Sequence, residues 1–122
     1  MPDPSLSSLQ LRKRRLLADL ADLGDMRPGS LSSLSRRCGK PSCQCHSPGG
    51  KLHGPYWSLT FKRHGKTVTR AVRPQQLATV RQQIANFRRF QALSAELVEV
   101  NEQLCQTRLS QASDAEQAKK KR

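Results

Sequence analysis

The chain has 122 residues, of which 35% are apolar and 4% aromatic, and its 22 Lys and Arg against 9 Asp and Glu leave a formal net charge of +13. So few apolar residues make only a marginal core, and a metal or a second copy is the expected supplement. No run approaches the roughly 18 consecutive apolar residues of a membrane span, and the N-terminus lacks the apolar stretch of a secretory signal, so a cytoplasmic location is expected.

Residues 1–25 read as an amphipathic helix from about Ser5 to Leu23. Leu6, Leu9, Leu16, Leu20 and Leu23 recur at helical spacing, and Lys13 fills the one gap. Asp3 is a candidate N-cap, Pro4 suits the first helical position, and Gly24 supplies a stop. After a turn at Met26–Ser30, the run Ser30–Arg37 fits either a short strand or an extended lead-in to Cys38. The segment Cys38–Pro55 carries Gly39, Pro41, Pro48, Gly49, Gly50, Gly54 and Pro55. It is therefore expected to be a loop held in shape by something other than regular hydrogen bonding.

Within residues 26–73, this loop leads to a β-hairpin. Tyr56–Arg63 alternates apolar and polar, Lys66–Val72 is rich in β-branched residues, and His64-Gly65 is the two-residue turn. The implied register sets Phe61 opposite Val68 and Trp57 opposite Val72. Arg70 opposite Leu59 breaks the apolar face: either the arginine reaches out along the sheet or the register is off by one.

Pro74 opens a long helix expected over 74–109, with apolar residues at Leu77, Val80, Ile84 and Phe87, then Phe90, Leu93, Leu97, Val100 and Leu104. The step from Phe87 to Phe90 adds an extra three and rotates the stripe. The first half should cover the hairpin, and the second should pair with the N-terminal leucines, within the chain or in a homodimer. Residues 110–122, ending in Lys119-Lys120-Lys121-Arg122, read as a disordered basic tail. The expected fold class is thus α+β: a zinc-stabilised hairpin or small antiparallel sheet flanked by two helices that pair.

The expected zinc comes from Cys38, Cys43, Cys45 and His53, a C-x4-C-x-C-x7-H set. Zn²⁺ accepts four N or S donors in a tetrahedron, and a structural site fills all four from protein, leaving no position for a substrate. In a reducing compartment clustered thiols serve as ligands rather than disulfide partners, with free redox-sensitive thiols the alternative. His46 competes for the fourth position, but as the neighbour of Cys45 it would have difficulty turning inward too. Cys105 is expected on a helix surface or interface.

Between Asp25 and Glu96 the chain has no acidic residue and thirteen Lys and Arg. Such a segment attracts polyanions and gains affinity by counterion release, so nucleic acid is the expected partner, duplex DNA ahead of RNA. The expected contacts are Arg36, Arg37, Lys40, Tyr56, Lys62, Arg63, Lys66, Arg70 and Arg73. Arg81, Arg88 and Arg89 are better suited to phosphates than to bases. A two-stranded ribbon fits the major groove, where arginine bonds guanine, and an aromatic ring such as Tyr56 can stack on a base. Trp57 belongs in the core.

No paired carboxylates, phosphate-binding glycine loop or nucleophile-base pair is visible, so neither catalysis nor a small-molecule substrate is expected. The expected role is a DNA-binding regulator or accessory factor of a DNA transaction such as that of a mobile element. The alternative is a protein-interaction adaptor or dimerisation module using the helical Leu and Phe stripes.

Cys38-Gly39-Lys40-Pro41-Ser42-Cys43-Gln44-Cys45, then His53-Gly54-Pro55-Tyr56-Trp57, then the hairpin and the Arg88-Arg89-Phe90 helix resemble an uncharacterised bacterial family of small domain-of-unknown-function proteins. That family carries CGKPxCxC and HGPYW motifs, and the resemblance extends over about Gly29 to Leu104. It implies membership and no particular activity.

Overall fold

A computed structural model describes residues 5–120; Asp3 and Pro4, like the last two residues of the expected tail, lie outside that range. The elements run α1 (Leu6–Ala21), β1 (Ser30–Arg36), β2 (His53–Arg63), β3 (Lys66–Val72) and α2 (Leu77–Lys120), with short 3-10 turns at Gln44–His46 and Pro74–Gln76. By contacts the chain divides into two units. One consists of α1 with α2 from Arg88 onward, and the other of Asp25–Phe87. The division falls where the apolar stripe of α2 changes phase.

In the helical unit Ser5 is the N-cap of α1, its hydroxyl accepting from the Ser8 N–H at 3.2 Å. The helix ends at Ala21 with Asp22 as C-cap, whose N–H donates to the Ala18 carbonyl. The stop therefore comes before the expected Leu23 and Gly24. Leu9 and Leu16 of α1 bury against Leu93, Val100 and Leu104 of α2, with Leu6, Leu20, Leu23 and Leu97 packed alongside. This is the expected pairing of leucine stripes, and each fully buried aliphatic side chain contributes about 1.5–3 kcal/mol.

The second unit is built on a three-stranded antiparallel sheet in the order β1-β2-β3. The ambiguous Ser30–Arg37 run is thus a strand, and the hairpin is a sheet. Trp57 pairs with Val72 and Phe61 with Val68, as expected from the alternation. His64 and Gly65 both take positive φ (52° and 78°), the backbone of a two-residue turn that matches strand twist. Leu59 does lie opposite Arg70, and the register holds. The arginine escapes sideways, its guanidinium lying over the Phe61 ring, 5.5 Å from the centroid.

One sheet face is apolar and covered by the start of α2: Leu59, Val72, Val80 and Ile84 are buried together, with Leu31, Trp57, Phe61 and Leu77 packed against them. The lead-in to β1 is tied to the same helix, since Arg27 N–H donates to the Gln83 carbonyl at 3.2 Å and Asn86 Nδ2 donates to the Asp25 carbonyl at 2.8 Å. The opposite face presents Ser32, Ser58, Thr60 and Thr69, whose hydroxyls pair across strands (Ser32 with Ser58, Thr60 with Thr69, each 3.4 Å), together with exposed Leu34, Tyr56 and Lys62.

Two boundaries differ from expectation. Pro74 opens a 3-10 turn, in which the Arg73 N–H donates to Gln76 Oε1 at 3.0 Å, and α2 proper begins at Leu77. At the other end, the segment expected as a disordered tail from Ser110 is helical as far as Lys120. No helix among the described residues is long and apolar enough to cross a membrane.

Candidate metal centre

The connection from β1 to β2 is where the four candidate ligands meet. Cys38 follows β1 by two residues, Cys43 and Cys45 flank the start of the 3-10 turn, and His53 is the first residue of β2. The expected loop therefore ends earlier than Pro55, because His53, Gly54 and Pro55 already belong to the strand. The turn is made by Cys43 N–H to Lys40 O (3.1 Å), His46 N–H to Cys43 O (3.1 Å) and Ser47 N–H to Gln44 O (3.0 Å). Gly50 then crosses the turn so closely that a Cβ there would collide with the Gln44 carbonyl oxygen. That close approach folds the chain back toward His53.

The three thiol sulfurs and a ring nitrogen of His53 all lie within 4.8 Å of one another. Cys38 Sγ is 3.6 Å from Cys45 Sγ, and Cys43 Sγ is 3.2 Å from His53 Nε2. Zn–S bonds of ~2.3 Å in a tetrahedron imply S···S edges of about 3.8 Å, so the Cys38–Cys45 separation is close to that of two ligands on a common ion. This Cys3His cluster could bind zinc.

His46 takes no part: its Nε2 is 2.6 Å from the Cys38 carbonyl oxygen, so it braces the loop from outside. Inside, the Cys38 N–H donates to Cys45 Sγ at 3.3 Å, a backbone bond of the kind that orients a thiolate ligand. Cys45 is buried, with 1% of its surface exposed. That burial, above all, raises its pKa. Cys43 is lowered to about 6, first by a backbone N–H from Cys45 and then by its contact with His53. A thiolate at Cys43 is thus available near neutral pH, and a cation would supply the compensation that buried Cys45 lacks. Cys105 is exposed on α2, away from the cluster in sequence.

The cationic residues fall into three groups. Arg36, Arg37 and Tyr56 line a cleft of about 540 Å³ together with Cys38, Gly39 and His53. Lys62, Arg63 and Lys66 surround the β2–β3 turn. Arg63 also lines a hollow of about 260 Å³ with Arg70, Arg27, Pro28 and Phe61. Lys40 is exposed on the ligand loop and Arg73 at the entry to α2, each apart from these groups. Arg81 lies over the Trp57 ring, 5.1 Å from its centroid, which ties it to the core edge. Arg27 was not among the expected contacts, and only its position before β1, invisible while that strand was ambiguous, could have suggested it.

A family model described as a domain of unknown function (DUF6788) matches residues 6–82. The chain belongs to that family. The DUF6788 match takes in α1, all three strands, the four candidate ligands and the first residues of α2. No curated protein and no solved structure matches the chain.

Proposed function

We propose that this DUF6788 protein is a zinc-stabilised nucleic-acid-binding module that acts as an accessory factor in a DNA transaction, with the sheet unit as its contact surface. The observation that carries this is the division of charge. Residues 25–87 contain eleven Lys and Arg and one carboxylate, Asp25, a net +10 out of the chain's +13. A compact unit so short of internal counter-ions holds a field that phosphates neutralise with release of condensed cations. Duplex DNA is favoured because β1 begins only at Ser30, opposite Thr60, so the hairpin beyond Thr60 is two strands wide and carries Lys62, Arg63 and Lys66. The metal has a scaffolding role, four protein donors leaving no position for a substrate, and reduced thiols suit a cytoplasmic setting. The role is one of binding, and no reaction is assigned.

Binding to a labelled duplex is expected to weaken on the order of 100-fold between about 50 and 200 mM salt, as about four neutralised phosphates require. Salt-independent binding, or none at low salt, would remove the proposal.

A second reading is self-association through the helical unit. Val98 and Leu109 are 68% and 65% exposed on α2, with Cys105 between them in sequence. The unit is also charge-complementary to itself, since α1 carries Arg12, Lys13, Arg14 and Arg15 while α2 carries Glu96, Glu99 and Glu102, as a two-fold interface between identical copies requires. Sedimentation should give a dimer that Val98→Glu with Leu109→Glu converts to monomer. A wild-type monomer at high concentration would discard this reading.

A further inference from the structure

The cleft between the ligand loop and the sheet has a composition that phosphate neutralisation does not explain. A basic surface built only for phosphates has no use for an exposed aromatic ring, yet Tyr56 is 49% exposed there and its cross-strand neighbour Leu34 is 59% exposed. The register between β1 and β2 shifts beside it: Leu34 pairs with Tyr56 and Arg36 with His53, so β2 carries one extra residue, at Gly54-Pro55. Arg36, two residues after Leu34 on the same face of β1, sets its guanidinium over the Tyr56 ring, 5.2 Å from its centroid. Arg37 comes next, lining the same cleft. Two of the remaining walls, Cys38 and His53, belong to the candidate metal centre, so metal ligation would fix the shape of the cleft. At about 540 Å³ the space falls within the range of small-ligand sites.

We propose that this cleft holds one unpaired nucleotide, its base stacked on the Tyr56 and Arg36 pair and its phosphate on Arg37. The inference rests on the nucleic-acid reading above and adds a single-stranded element to it. A base inside a duplex has both faces covered by its neighbours, whereas an unpaired base can lie on an aromatic ring or a guanidinium plane. The apolar Leu34 side chain next to the ring suits a base edge and offers nothing to a phosphate. Tyr56 and Lys62 lie six residues apart on the same strand and the same face, about 20 Å at strand rise. The turn and the cleft therefore address different parts of one nucleic acid: the turn a duplex, the cleft an adjoining unpaired end.

The test compares a blunt labelled duplex with the same duplex carrying a short thymidine overhang on either strand, and with an abasic version of that overhang. The natural overhang should bind about ten-fold tighter than the blunt end, as one stacked base provides, and the abasic overhang should lose most of that gain. Tyr56→Leu should bring the overhang down to blunt-duplex affinity, and Tyr56→Phe should keep the gain; metal content and circular dichroism of both variants serve as folding controls. Equal affinity for blunt and overhang duplexes would overturn the cleft assignment and leave the duplex-binding reading standing. A gain that survives in the abasic overhang or in Tyr56→Leu would likewise overturn it, since phosphates alone would then account for the contact. No binding to any of these probes would overturn both.

Discussion

Cys45→Ala will purify with no bound metal, where the unaltered chain will carry one zinc, and its sheet unit will melt more than about 15 °C lower. The size of the effect follows from linkage: an ion present at about a thousand times its dissociation constant stabilises the folded state by about 4 kcal/mol, and each kcal/mol moves the midpoint of a small unit by roughly 4–8 °C. Cys45 is the most informative ligand to remove because it is the buried one. Its loss takes away both a donor and the acceptor of the Cys38 N–H. Cys105→Ser, on the exposed face of α2, should leave the stoichiometry at one. Metal analysis with thermal melts, with and without chelator, decides the matter. A Cys45→Ala protein that keeps its ion, or a parent protein whose melt ignores the chelator, would refute the scaffold.

Reversing Lys62 and Arg63 to glutamate together should weaken duplex binding at least ~100-fold and lower the salt slope by about 2, because two phosphate contacts are lost and two repulsions gained. Both residues are exposed at the turn, paired across the hairpin with Thr67 and Lys66. Arg63→Glu even gains an opposite charge at Lys66, so the hairpin itself should not suffer. Titration of labelled duplex at several salt concentrations provides the comparison. Unchanged affinity in a folded double variant would move the contact surface away from the turn.

What could be read from the sequence was whatever repeats with a period or clusters in spacing. The leucines of α1 and both stripes of α2 were legible because burial selects apolar residues every three or four positions. The hairpin was legible from alternation and from a turn that needs Gly65. The ligands showed as the one dense group of thiols in a cysteine-poor chain. β1 was not legible, since only Leu31 and Leu34 in its seven residues are apolar and their spacing of three does not match a strand. The continuation of α2 past Leu109 was hidden for the opposite reason. Ser110–Lys120 has no apolar residue larger than alanine to show a period, although Ala, Gln, Glu and Lys there are good helix formers and no Gly or Pro interrupts them. At the cleft, the sequence offered Arg36, Arg37 and Tyr56 separately. Arg36 reaches the ring from β1, and while that strand was ambiguous its pairing with the Tyr56 strand could not be read. Gly54-Pro55, where β2 carries its extra residue, is nonetheless a pair of the kind that marks a bulge.

His53 is at once a candidate ligand and the first rung of β2, opposite Arg36. The β2–β3 hairpin closes through a two-residue turn, but β1 must cross sixteen residues to find its partner, a loop whose closure entropy an ion would largely cancel. Metal supply would thereby govern the completeness of the sheet: a starved chain would keep its hairpin and loosen its edge strand, and with that strand the ring-and-guanidinium platform. Under the nucleic-acid role proposed above, trace-element status would then act on binding through the folding of a single strand.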